Sequence, residues 1–134
     1  MTVDQMRRLF LALVGVALVP VALAYGVAPK VTMPYLFDVE ATGAGTLNVF
    51  RAIMGLYLAL AGFWLVGAYR ADLRTGALWS LILFMSGVGA GRVLSILLDG
   101  WPHPLLVFFT GVEFVSALTG FLLLRAGGRH TATA

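Results

Sequence analysis

The chain has 134 residues, 60% of them hydrophobic and only 11% charged, with a formal net charge of +3 and a mean hydropathy of +0.96. A soluble domain carries about 25% charged residues, so this composition excludes a water-solvated globule and makes the bilayer the expected solvent. The lack of cysteine excludes disulfides, thiolate chemistry and Cys-ligated metals; the basic charge is too sparse and dispersed for a nucleic-acid surface and fits membrane-flanking loops instead.

Residues 1–134 are long enough for one domain, and a spanning helix needs about 20 mostly apolar residues. The first such run is Leu9–Val27, uncharged, preceded by Arg7 and Arg8, with Pro20 inside it and a kink expected there. A cleavable leader has an apolar core of about 7–15 residues before a small-residue site. Here the run continues past Pro20 to Val27, and Ala22-Leu-Ala24 matches such a site poorly, so the segment is read as a retained span. The connection Ala28–Thr46 holds Pro29, Pro34, Gly43 and Gly45, and its apolar middle, Met33–Phe37, is expected as a short interfacial helix. The second span is Leu47–Tyr69, followed by a tight charged turn at Arg70-Ala-Asp-Leu-Arg74. The third is Gly76–Leu98, followed by the breaker-rich turn Asp99-Gly-Trp-Pro-His-Pro104. The fourth is Pro104–Leu124, and 125–134 is expected as a disordered tail. The resulting fold class is all-α, an integral-membrane four-helix bundle.

Basic residues orient it. Arg7, Arg8, Arg70, Arg74, Arg125 and Arg129 fall on one side and Lys30 alone on the other, which puts both termini in the cytoplasm. Trp64, Tyr69 and Trp79 are expected at the cytoplasmic boundary, and Tyr25, Tyr35 and Trp101 at the outer one.

Three ionisable residues interrupt the apolar runs: Arg51, Arg92 and Glu113. A charge in hydrocarbon is costly and normally faces a partner or a wet cavity. At about 1.5 Å rise per residue they lie about 6, 9 and 13 Å below the outer boundary, all in one half of the bundle. Each has polar neighbours at helical spacing: Asn48 with Arg51, Ser95 and Asp99 with Arg92, Thr110 and Ser116 with Glu113. If these faces converge, they form a polar pocket open to the outer side, with Asp99 and His103 at its mouth. Asn48, Arg51, Arg92, Ser95, Asp99 and Glu113 are therefore the candidate ligand-binding or structural cluster. Two arginines against one glutamate would suit an anionic head group. The same residues could instead serve as helix glue. Gly87, Gly89 and Gly91, and Gly55 with Ala59, permit close helix approach and are expected to pack within the chain. His103 and His130 lie on opposite sides, so no metal site is expected, and no catalytic triad or cofactor is either.

Phe50-Arg-Ala-Ile-Met-Gly-Leu-Tyr-Leu-Ala59, Gly91-Arg-Val-Leu-Ser95 and Asp99-Gly-Trp-Pro-His-Pro104, with Tyr25-Gly-Val-Ala-Pro29 and Glu113, resemble a bacterial four-helix membrane family catalogued as domain of unknown function 4345. A looser likeness to small DoxX-like membrane proteins rests on span count and size. The resemblance implies an inner-membrane four-helix protein and brings no activity with it. The expected role is a binding or accessory protein whose outer-half pocket takes a lipid, a quinone-like molecule or a small anion. Membrane lipids, a second copy or a larger membrane complex are the expected partners, and nucleic acid is not. A small transporter, or an enzyme using Glu113 as acid or base, are the competing readings.

Overall fold

The computed structural model describes residues 1–128. It consists of α1 (Val3–Gly26), α2 (Pro29–Phe37), α3 (Ala44–Tyr69), α4 (Ala71–Asp99) and α5 (Pro104–Gly128). All but α2 are long and apolar enough to cross a membrane. Their 24 to 29 residues give lengths of about 36 to 44 Å, against a hydrocarbon core of about 30 Å. The apolar runs mark the part inside hydrocarbon, and each helix continues beyond it into flanking sequence.

That continuation corrects two boundaries. Arg70–Arg74 is not an open turn: Arg70 alone leaves the helix, with extended backbone (φ −99°, ψ 112°), and Ala71–Arg74 is the first turn of α4. Asp72 in that turn favours the helix N-terminus and accepts hydrogen bonds from Arg70 Nε and Nη2. At the other end, α5 runs four residues past Leu124 to Gly128, so Arg125 is helical rather than part of a tail. Residues 129–134, including Arg129 and His130, lie outside the described residues. α1 begins with a capping box, in which Thr2 Oγ1 accepts from Gln5 N–H and Gln5 Oε1 accepts from Thr2 N–H, and continues through Pro20.

The long helices form a closed ring in the order α1, α3, α4, α5, and the seam between α5 and α1 is the thinner of the two that α1 makes within it. α1 lies closest to α3 because two glycines let the backbones approach. A Cβ on Gly26 would stand 2.4 Å from Met54 Cβ, and one on Gly15 would stand 3.2 Å from the Ala61 carbonyl oxygen. One apolar cluster fills the half of the bundle near the termini, built on Leu11, Leu18, Trp64, Leu78, Leu81 and Met85. A second, aromatic cluster fills the opposite end. There α2 folds over the helix ends and inserts Met33 and Phe37 against Tyr25, Phe50, Leu105, Leu106 and Phe109. The short helix expected in Ala28–Thr46 thus exists, and its apolar face covers the bundle. Asp38 closes it in the left-handed region (φ 57°), its N–H directed to the Met33 and Pro34 carbonyls.

Two residues expected at membrane boundaries are interior. Trp64 is fully buried and its indole N–H donates to Ser80 Oγ at 2.9 Å. Tyr25 is buried against Phe37, with ring centroids 5.6 Å apart. In both cases an aromatic ring with a polar handle finds its partner inside the bundle. The glycine expectation also divides. Gly89 faces the Phe114 ring, but Cβ atoms on Gly55, Gly87 and Gly91 would meet nothing within 4 Å. Those three face outward and do not pack within the chain.

At the end that holds α1's start, two arginines tie helices together. Arg7 donates from Nε to Leu123 O (2.9 Å) and from Nη2 to Leu124 O (2.7 Å), near the C-terminus of α5. Arg74 does the same for α3, donating to Gly67 O and Ala68 O, and also pairs with Asp4 of α1. Cations suit the exposed carbonyls of a helix C-terminus, so each arginine caps one helix from another.

Candidate functional site

The structure brings Arg92 and Glu113 together. Arg92 Nε donates to both carboxylate oxygens, 2.9 Å to Oε1 and 3.1 Å to Oε2. The side chains retain 19% and 11% of their exposure, so the pair is largely enclosed by α1, α3, α4 and α5. Their positions follow from helix geometry: α4 and α5 run antiparallel from the turn at Gly100–His103, and seven residues back from Asp99 and nine forward from Pro104 reach similar depth. Gly89, one turn before Arg92, admits Phe114 beside it and lets α5 approach. Tyr25 and Tyr57 stand next to the guanidinium.

The other expected site residues are elsewhere. Ser95 Oγ donates to Asp99 Oδ2 at 2.9 Å, a local bond within α4 on an exposed surface. Asn48 and Arg51 lie on the exposed face of α3 and are not part of the Arg92–Glu113 cluster. The cause is rotation. On α3 the inward positions are Phe50, Ile53 and Tyr57, and Arg51, one residue on from Phe50, is turned by about 100°. Thr110 is buried but donates to the Leu106 carbonyl of its own helix. His103 is exposed in the loop.

The pair stands at the floor of a crevice of about 330 Å³ between α1 and α5. Its walls are apolar: Leu13, Val14, Ala17, Leu18 and Val21 from α1, Phe108, Phe109 and Val112 from α5, Phe84 and Met85 from α4. Tyr57, Arg92, Glu113 and Ser116 are its polar members. Leu13, Ala17, Phe108 and Val112 are themselves exposed, so the crevice opens on the flank of the bundle, through the thin α1–α5 seam. It is not the polar, end-on pocket expected from the sequence, because α2 and its aromatic cluster cover that end. A separate cavity of about 80 Å³, lined by Arg92, Ser95, Pro102, Leu106 and Thr110, lies on the other side of the guanidinium and is large enough for water. Arg92 therefore borders both spaces.

Its hydrogen bonding is incomplete. Among the described residues, Nε is the Arg92 nitrogen that meets a carboxylate, the Tyr25 side chain is a further hydrogen-bonding partner of the guanidinium, and no buried side-chain nitrogen or oxygen lacks a partner. Neither Nη1 nor Nη2 meets a carboxylate or a backbone carbonyl, and Arg92 lines both cavities. The four N–H bonds they carry can only donate. The Nε–H is shared between both Glu113 oxygens, each of which keeps a further lone pair. With Arg51 absent, the enclosed site sums to zero charge rather than to a positive excess. Among the described residues no group of three metal-ligating side chains occurs.

A family model described as Domain of unknown function (DUF4345) matches residues 6–124. The chain belongs to that family. The match covers α1 from Met6, all of α2, α3 and α4, and α5 to Leu124, so the covering helix and both walls of the crevice fall within the DUF4345 unit. No curated protein and no solved structure matches the chain. Sequence reasoning about this DUF4345 protein found Arg92 and Glu113 through their charge, but missed Tyr57 and the α1 wall. Nothing marks an apolar residue in a span as cavity-lining rather than lipid-facing.

Proposed function

We propose that the protein is a membrane binding or accessory protein whose α1–α5 crevice takes a lipid-like, quinone-like or small anionic molecule. One observation carries the reading. An apolar crevice open to the flank ends on an enclosed arginine whose two terminal nitrogens meet no carboxylate and no backbone carbonyl. A pair serving only to orient helices has no need of such a space, and charged groups at this depth mark ligand sites by default. The volume falls within the range of small-molecule sites, about 300–1,000 Å³. The charge asymmetry of the flanks supports a multi-pass placement in a bacterial inner membrane with both termini cytoplasmic, so the crevice opens into the outer leaflet.

The test is native mass spectrometry of the protein released from mild detergent, wild type beside Arg92→Ala, with thermal unfolding as the check on folding. A molecule of defined mass retained by wild type and lost from a folded Arg92→Ala supports the reading. An empty wild type together with a collapsed variant would make the pair purely structural.

A further inference from the structure

We infer that the occupant is a neutral single-chain amphiphile whose head is a hydrogen-bond-accepting carbonyl oxygen, of ester, ketone or quinone type, and that it enters from the bilayer through the α1–α5 seam. This rests on the binding reading above and narrows it.

Charge comes first. Arg92 and Glu113 neutralise each other at 2.9 Å. Arg51, the second cation that would have favoured an anion, is on the exposed face of α3, and Asp99 is engaged with Ser95. An anion entering the crevice would leave a net negative site beside an existing carboxylate, in surroundings that solvate charge poorly. A neutral head avoids that cost.

Donor count comes second. The guanidinium has five N–H donors and no acceptor, and Glu113 is held by the Nε–H alone. The site therefore offers donors in excess of its acceptors, which are the Glu113 oxygens and the hydroxyls of Tyr25, Tyr57 and Ser116. A carbonyl oxygen accepts from that excess without adding a donor of its own, whereas an alcohol or amine adds to it.

Shape comes third. The walls above the pair are apolar over both α1 and α5, and the opening lies between exposed Leu13 and Phe108 on the bundle flank. The end that carries α2 is filled by Tyr25, Met33 and Phe37, and the space beside Ser95 there is about 80 Å³. A ligand of any size must arrive from hydrocarbon, tail along the seam and head toward Arg92. The volume of about 330 Å³ is at the low end of ligand sites and admits one chain.

The experiment presents delipidated protein in a mild, ester-free detergent with three probes, read by native mass spectrometry: methyl palmitate, palmitate, and a decyl-substituted benzoquinone. It is run at about pH 9, where free palmitate is ionised. Wild type is expected to retain the ester or the quinone about tenfold or more over palmitate. The preferred neutral probe tells an ester head from a quinone head. Glu113→Gln removes the compensating charge at nearly constant volume, and is expected to swing the ratio about tenfold toward palmitate. Ala17→Trp, which adds bulk at the exposed wall, is expected to lower retention of the neutral probes without lowering the unfolding temperature. A wild-type preference for palmitate would overturn the neutral-head inference while leaving a binding protein; that comparison needs no variant to fold. Retention of no probe, with no co-purified molecule, would overturn the binding reading itself. Full retention by Ala17→Trp would overturn entry through the seam.

Discussion

Arg74 and Arg92 lie on the same helix, about 27 Å apart along its axis, and both are enclosed. Arg74 uses every nitrogen: Nε on Gly67 O, Nη2 on Ala68 O, and Nη1 on the Asp4 carboxylate at 2.6 and 2.5 Å. Its side chain is 7% exposed, and it joins α1, α3 and α4 at the end that carries the N-terminus. Arg92 has one carboxylate partner, on Nε, and the Tyr25 side chain beside it, reaches no backbone carbonyl, and borders two cavities. An arginine whose donors all return to the protein is complete as a structural element. One whose donors face open space is complete only when something else arrives. Enclosure alone does not separate the two; the count of satisfied donors does.

The largest effect should come from the structural arginine. Arg74→Ala strips two helix-end carbonyls of their donor and leaves Asp4 unpaired. The two lost charge-assisted bonds to the α3 carbonyls cost about 1.5–3 kcal/mol each, and most of that is expected as lost stability toward denaturant in detergent; the Asp4 left behind is solvated. Asp4→Ala should cost less, because Asp4 is 67% exposed and water can replace the arginine. Equal losses for the two variants would show that the carbonyl caps contribute nothing.

The Arg92–Glu113 pair should respond differently. Either Arg92→Leu or Glu113→Leu alone strands a charge and is expected to cost up to about 3 kcal/mol. The double variant should recover to within about 1 kcal/mol of wild type, since an apolar pair of similar volume often substitutes for an ion pair, yet retain no ligand. A double-mutant cycle on unfolding, with ligand retention measured in parallel, separates stability from binding. A double variant as unstable as the singles would show that the pair is needed for the fold itself.

Smaller again is Trp64→Phe. It removes the bond to Ser80 Oγ while keeping most of the buried ring, and should cost about 1 kcal/mol. Ser80 then keeps its own bond to the Ala77 carbonyl, so no orphaned donor adds to the loss. A change in ligand retention in this variant would show that the two clusters communicate.

The spans were legible because hydropathy and length are properties of contiguous sequence, and Arg92 and Glu113 were legible because a charge in an apolar run has few explanations. What failed to be legible was rotation and cover. Arg51 shares the depth of the pair but stands about 100° around α3 from Phe50, and no pattern in so uniformly apolar a helix fixes which face turns inward. Arg74 looked like one of six flanking cations because its role depends on the carbonyls of a different helix. The Met33–Phe37 helix was visible as a segment, but that it would close the end of the bundle depends on Tyr25 and Phe109, far off in sequence. The crevice followed from neither, since it exists where α1 and α5 pack thinly.

The smallest effects sharpen the contrast between the packed and the open side of α4. Gly89 and its neighbours at 87 and 91 alternate in a way the sequence does not distinguish. A Cβ on Gly89 would stand 3.2 Å from the Phe114 ring, whereas on Gly87 or Gly91 it would meet nothing within 4 Å. Replacing a helical glycine by alanine gains about 0.5–1 kcal/mol when space allows, by lowering the entropy of the unfolded chain. Gly87→Ala and Gly91→Ala are therefore expected to stabilise the purified protein by that amount, and Gly89→Ala to forfeit the gain as Phe114 gives way. The readout is the unfolding midpoint in detergent, with size-exclusion chromatography alongside. The sign at Gly87 is the informative part. If the alanine destabilises there, or shifts the chain to a smaller assembly, the open face of α4 is covered by another helix in the membrane, and the outward glycines are contacts. If it stabilises, the face meets only lipid, and the close approaches that hold this bundle together are confined to the inner side.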